Sequence, residues 1–292
     1  MRFIKYQIIE HINAKNTKKA LRGLDIKKTL SKLNNSGIET DRIGQFAIAN
    51  CIHENNILVG NLSQSYNISL IKFEGTSKLQ IPIPENSAND DRTYFFINCS
   101  EGQIYIQNRK YAPQELSPNL TVIRMQTILH KYLAEDKNIL TLEKVNIDYD
   151  ISQMQTYFRE SFVKSVEFHN VANFKLADKT QLHNPREDLD SAAIESWNYY
   201  SSDTVDSIKV TAKKNKSIAK NPIANIGIKL AEQNTENYDK ILKGITVIED
   251  GQDFTVKPKG NNYLVIPIND DKNFPCAKIL QKTLYYLLKK KL

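Results

Sequence analysis

Glycine is scarce, ten in 292 residues, and none of the glycine-bearing signatures of nucleotide or hydrolase sites occurs. There is no G-x-x-x-x-G-K-[ST], no G-x-G-x-x-G and no G-x-S-x-G, and H-E-x-x-H is missing too. These absences argue against a phosphate-cradling loop, a nucleophile elbow and a helical zinc site. Cysteine is equally sparse: Cys51, Cys99 and Cys276 are far apart, odd in number and without C-x-x-C spacing. They predict neither a disulfide framework nor a zinc cluster, but small buried hydrophobes. No segment approaches the ~18 to 20 apolar residues that a membrane span requires. The opening "MRFIKYQIIEHINAKN" has no uninterrupted apolar run and no small-residue cleavage pattern, so the expected location is the cytoplasm.

What is present is a globular composition, 40% hydrophobic and 9% aromatic with 25% charged residues, enough apolar surface to offset the entropy of ordering. The length predicts two domains. The net charge of +7 is unevenly spread: residues 1–44 sum to +6, residues 45–204 to −6 and residues 205–292 to +7. A basic head, an acidic middle and a basic tail make a segregated field that an acidic partner could read. The sign change sets the expected boundary at Ser201–Asp203. Residues 1–203 then form a mixed α/β domain with a strand-rich middle, and residues 204–292 a basic α+β domain.

The basic tail has a centre. "SIKVTAKKNKSIAKNPIANIGIKLA", Ser207 to Ala231, holds six lysines and no aspartate or glutamate. A solvated face and an anion-binding face are both compatible with a lysine run, but a surface kept soluble by mixed charge would intersperse acids. Lys209 falls on a strand-like run, Lys213, Lys214, Lys216 and Lys220 on a turn or helix, and Lys229 on the strand expected next. Lysines without paired acids, and without interleaved aromatics for base stacking, suit the phosphate backbone of a duplex better than single-strand capture.

Elsewhere "DIKKTLSKLNN" reads as a short amphipathic helix behind Asp25 as N-cap, whereas the first twenty residues show little periodicity. "FAIANCIHENNILVG", "SYNISLIKF", "KLQIPIP", "ILTLEKVNI" and "SFVKSVEFHNV" read as strands, and "TYFFINCSEGQIYIQNRKY" as a hairpin turning at Glu101-Gly102. "SPNLTVIRMQTILHKYLAEDKN" reads as a helix. Near the end, a hairpin around Asp250-Gly251 and a strand "NYLVIPI" precede a C-terminal helix, whose stripe of Leu280, Leu284, Leu287 and Leu288 follows Pro275. The fold class is therefore α+β, with short, mainly antiparallel sheets.

Three arrangements could carry catalysis. Arg124 and His130 in "RMQTILH" fit the R-x(4–6)-H spacing of HEPN ribonucleases, where such a pair would bind a scissile phosphate. The HEPN fold, however, is wholly helical, and the first spacer residue here is Met125 rather than a polar one. The acids Asp90-Asp91 and Glu187 to Asp190 could hold a divalent metal in a nuclease or be solvated loop charges. His169 in "VEFHN" reads as a satisfied side chain at a strand end rather than a general base.

The order of features resembles the RexA-like phage-exclusion proteins. The resemblance lies in the basic N-terminus with its "DIKKTLSKL" helix, the hairpin leading into a helix, "VNIDYDISQMQTYFRESFVKSVEF" and above all "IKVTAKKNKSIAKNPIANIGIKLAE". It implies a homodimer of two-domain subunits that swing relative to each other, sequence-independent double-stranded DNA binding, and phage sensing upstream of a membrane-channel partner. The family's two basic strand residues would fall at Lys229 and at Ala231, and the alanine shifts the expected contacts towards Lys213, Lys214 and Lys216. Two other readings remain, a nuclease toxin and a protein-interaction module whose basic face meets an acidic protein. The first reading needs no catalytic residue, metal or cofactor.

Overall fold

A computed structural model describes residues 1–12, 17–65, 70–74, 77–81, 91–109, 117–135, 138–170, 191–200, 205–249, 252–266, 268 and 275–288. The chain divides into two compact units. The first comprises Met1–Val145 with Asp270–Tyr285 and Lys290–Leu292, and the second Asn146–Asn269 with Tyr286–Lys289.

The first unit contains strands β1 (Arg2–Ile12) and β2 (Thr17–Ala20), helix α1 (Ile26–Asn34), strands β3 (Glu39–Thr40) to β5, then β6 to β9, helix α2 and strand β10. Strand β4 is Gln45–Glu54, β5 Ile57–Gln64, β6 Leu70–Glu74, β7 Ser77–Ile81, β8 Asp91–Asn98 and β9 Gln103–Gln107. Helix α2 is Pro118–Leu133 and β10 is Ile139–Lys144. The sheet order is β10-β1-β9-β8-β5-β4-β3, all antiparallel, and β6 pairs β7 in a separate hairpin. The segment that sequence periodicity left blank is thus the 11-residue strand β1, which lies between β10 and β9. Phe3, Tyr6, Ile8 and Ile9 are all buried, so its apolar residues do not alternate cleanly.

Asp25 caps α1 as the sequence predicts, its carboxylate accepting from the Lys28 N–H at 2.8 Å. Leu33 of α1 and Met125, Ile128, Leu129 and Leu133 of α2 pack on Ile8, Leu58, Leu62, Phe95 and Ile97 of the sheet. Each fully buried aliphatic side chain contributes about 1.5 to 3 kcal/mol, so this layer of helix on sheet is the unit's main source of stability. The Glu101-Gly102 turn forms as expected, with Gly102 at φ 61° and its Cα against the Leu21 carbonyl, where no Cβ would fit.

The second unit contains α3 (Ile151–Glu160), β11 (Phe162–His169), α4 (Ser191–Tyr200), β12 (Ser207–Thr211), α5 (Pro222–Gln233), α6 (Tyr238–Ile241), β13 (Leu242–Glu249), β14 (Gln252–Val256) and β15 (Leu264–Val265). Its antiparallel sheet runs β12-β11-β13-β14. Trp197 of α4 meets Phe168 of β11 edge-on at 5.5 Å. Gly227 of α5 lies over the same phenylalanine so closely that a Cβ would stand 2.3 Å from its ring.

The structure departs from the sequence reading at four places here. The run "IANIGIKLA" is not a strand but the body of α5. Asn221 caps it, accepting from the Ala224 N–H at 3.1 Å, and Pro222 takes the first turn. Helix α3, with a reciprocal Asp150–Gln153 capping box, went unread. "NYLVIPI" yields only the two-residue β15. The charge change at 201–203 falls inside the second unit, because β11 and β12, on either side of it, pair in one sheet. The C-terminal helix forms as α7 (Cys276–Leu288), directly after Pro275. The molecule is α+β.

Candidate nucleic-acid interface

The lysine stretch lies in the second unit. Among the described residues β12 is an edge strand, and Lys209 at its centre is exposed. The register sets Lys209 directly opposite Glu167 of β11, so the two share the solvent face of the sheet. Glu167 also accepts a hydrogen bond from Lys243 of β13 at 2.6 Å, which is the main cause holding its carboxyl below the usual range. Lys164 pairs with Asp253 on the same sheet. The sheet face is therefore charge-mixed, although the stretch itself contains no acid. Sequence reading missed Lys164, Lys243 and Glu167 because strand pairing brings them in from 30 or more residues away. The polar positions in "FVKSVEFH" were the available signal for two of them.

Past β12 the arrangement differs. Lys213, Lys214, Asn215 and Lys216 form a turn closed by the Lys216 N–H donating to the Lys213 carbonyl at 3.0 Å. Asn215 takes the left-handed conformation, φ 60°, that this residue type tolerates better than most. The turn is braced at both ends against β11. The Ala212 N–H donates to the Lys164 carbonyl at 2.7 Å, and the Ile218 N–H to the Val163 carbonyl at 3.0 Å. The Val163 N–H in return donates to Ser217 Oγ at 3.1 Å. Ile218 is buried beneath, while Lys213, Lys214 and Lys216 are all exposed and form no ion pair with any described residue. A held backbone displaying three unpaired cations can meet an anion without first ordering a loop.

Lys220, also exposed, immediately precedes the Asn221 cap of α5. The first turn of that helix contains no acid, so the positive end of its dipole adds to the field of the lysines. Lys229 is half-buried on α5 itself, on the side away from Ala224, Gly227, Ile228 and Ala231, and Ala231 is fully buried. The positions expected to form a strand pair, Lys229 and Ala231, therefore lie on different sides of a helix. The turn, with Lys209 and Lys220 flanking it in sequence, is the acid-free core of the candidate surface.

Arg124 and His130 do not converge on one site. Arg124 is 1% exposed, and its guanidinium grips Asp41 with Nε to Oδ2 at 2.7 Å and Nη2 to Oδ1 at 2.9 Å. Its Nη1 donates to Gln64 Oε1 at 3.2 Å, and the group lies over the Phe46 ring at 5.0 Å. The arginine bond is the main cause that holds the Asp41 carboxyl down to about 2. His130, six residues on, is exposed, and its Nδ1 accepts from the Leu140 N–H at 3.4 Å. At about 100° per residue the two side chains diverge by roughly 120° around the helix. Arg124 is a buried clamp on the 41–44 loop, whose Ile43 and Gly44 N–H groups also bond Asp41.

Asp90 and Glu187 to Asp190 lie outside the described residues, as does the side chain of Asp91. Among the described residues no group of His, Cys, Asp and Glu side chains could hold a metal, and no helix is long and apolar enough to cross a membrane. His169 stands at the end of β11, 3.9 Å from Asp206. Cys51 and Cys99 are buried, and burial is the main cause pushing their thiols up to about 12 and about 11. Both remain protonated and behave as the small hydrophobes the sequence predicts. No protein-family model matches the chain, and no curated protein matches it.

Proposed function

We propose that this protein binds double-stranded DNA through its phosphate backbone, without sequence preference. The observation that carries the reading is the braced turn at 213–216, with Lys213, Lys214 and Lys216 exposed and unpaired with any described acid. Lys209, Lys220 and Lys229 extend the same stretch. Point-like ammonium groups on a turn make phosphate contacts well, and they offer no planar or bidentate edge with which to read bases.

The wider role follows from the resemblance to RexA-like exclusion proteins: a cytoplasmic homodimer that senses phage DNA and signals to a membrane-channel partner. Such a sensor has no need of a catalytic site. The test is a gel-shift titration with two duplexes of unrelated sequence. Equal affinities, both falling steeply between low and moderate salt, support the reading. Affinities differing by more than tenfold, or cleavage of either duplex with Mg²⁺, would overturn it.

A further inference from the structure

The basic head of the chain stands apart from the lysine turn. Between Glu10 and Glu39 there are seven Lys or Arg and one acid, Asp25. Lys15 lies outside the described residues. Lys18 is neutralised by Glu143 at 3.1 Å, and Lys19 stands opposite Glu10 in register. That leaves Arg22, Lys27 and Lys28, all exposed, and Lys32, half-exposed, none in an ion pair with a described residue. The one acid among them is committed, since the Asp25 carboxylate caps the helix.

Two features separate these cations from an ordinary solvated face. Lys27 and Lys28 occupy the second and third positions of α1, in a first turn without acids. Cations there oppose the helix dipole, and glutamate at either position would suit the helix better. The backbone leading into α1 is also fixed, the Leu21 N–H bonding the Ile8 carbonyl at 2.9 Å, Gly23 that of Ser100 at 3.0 Å and Leu24 that of Cys99 at 2.9 Å. Gly102 allows the Leu21 carbonyl its close approach. A locally unfavourable charge pattern on a rigid frame marks a place where function outweighs local stability.

We propose that Arg22, Lys27, Lys28 and Lys32 form a second duplex-phosphate-binding surface, on the first unit, separate from the turn at 213–216. The inference rests on the duplex-binding reading above. No exposed large hydrophobic lies between residues 17 and 35, so the surface lacks both the stacking platform of a single-strand binder and the apolar anchor of a membrane-surface helix.

The experiment compares the full chain with Lys27→Glu/Lys28→Glu and, in parallel, with Lys213→Glu/Lys214→Glu/Lys216→Glu. Melting temperature and duplex affinity are measured at several salt concentrations. The helix variant should melt no lower than the parent, yet bind duplex on the order of 50-fold more weakly near 0.1 M salt, with a log–log slope shallower by about 2. Duplex affinity and slope unchanged in the helix variant, with binding lost in the turn variant, overturn this proposal and leave the turn standing. The opposite pattern keeps the second surface and removes the turn. Should the helix variant melt lower, Lys27→Gln/Lys28→Gln at unchanged melting decides by the same affinity criterion. Binding of the parent to anionic vesicles or polyglutamate, but not to duplex, overturns both.

Discussion

Arg124 illustrates how a residue type changes meaning with burial. In the sequence it is a candidate for phosphate binding, six positions from a histidine; in the fold its guanidinium faces inward and is spent on Asp41 and Gln64. Asp41→Asn should therefore destabilise the chain by about 3 kcal/mol, because it strands a buried guanidinium, whereas His130→Ala should move the melting temperature little. The Asp41 carboxyl is held below its unfolded value, so its contribution is present above about pH 4 and is lost as pH falls towards about 2. A lowered pKa of that size corresponds to roughly 2 kcal/mol, so acid melting curves of the parent should steepen over that window and those of Asp41→Asn should not. At Gly227 two effects compete. Alanine gains up to about 1 kcal/mol of helix propensity, but its Cβ meets the Phe168 ring, and overpacking of a closed core costs about 1 to 3 kcal/mol. Phe168 is fully buried, held between Gly227 and Trp197, so Gly227→Ala should lower stability in a urea melt.

At the level of elements, the lysine turn depends on Ser217. Removing its Oγ leaves the N–H of fully buried Val163 without that partner, at about 1 to 3 kcal/mol. Ser217→Ala should speed hydrogen exchange at Ala212 and Ile218, the two amides that brace the turn, and weaken duplex binding less than loss of the lysines does. Elements with a local signal were legible in the sequence: α1 through its Asp25 cap, the Glu101-Gly102 turn, the alternation of β11 and the stripe of α7. The misreading of α5 has a physical cause. Ile226 and Ile228 at i, i+2 imitate a strand, while the helical stripe Ala224, Gly227, Ile228 and Ala231 uses small residues that carry little hydrophobic signal. The Asn221-Pro222 start was the cue that outranked it. Strand β1 hid for the opposite reason, since burial of adjacent residues such as Ile8 and Ile9 blurs alternation. Of the candidate surface, the lysines were legible one by one. Their division between a charge-mixed sheet face and an acid-free turn was not, because the acids Glu167 and Asp253 arrive from other strands.

For the whole molecule, the three-part charge pattern acquires a structural meaning. Of the +7 carried by residues 205–292, Lys213, Lys214 and Lys216 on the braced turn of the second unit supply three charges, and Arg22, Lys27, Lys28 and Lys32 on α1 and its approach are four of the ten cations of the first 44 residues. On the proposed duplex-binding reading, two lysine-rich surfaces on one chain would raise avidity for a long polyanion. Increasing duplex length at constant salt should therefore tighten binding beyond the statistical gain in sites, as read by titration against duplexes of graded length. The central claim, that Lys213, Lys214 and Lys216 contact duplex phosphates, is tested most directly by the salt dependence of duplex binding in the parent and in Lys213→Glu/Lys214→Glu/Lys216→Glu. Three lost phosphate contacts reduce the slope of log K against log salt by about 2.7, equally for unrelated duplexes. A slope and affinity in the triple variant equal to those of the parent would contradict it.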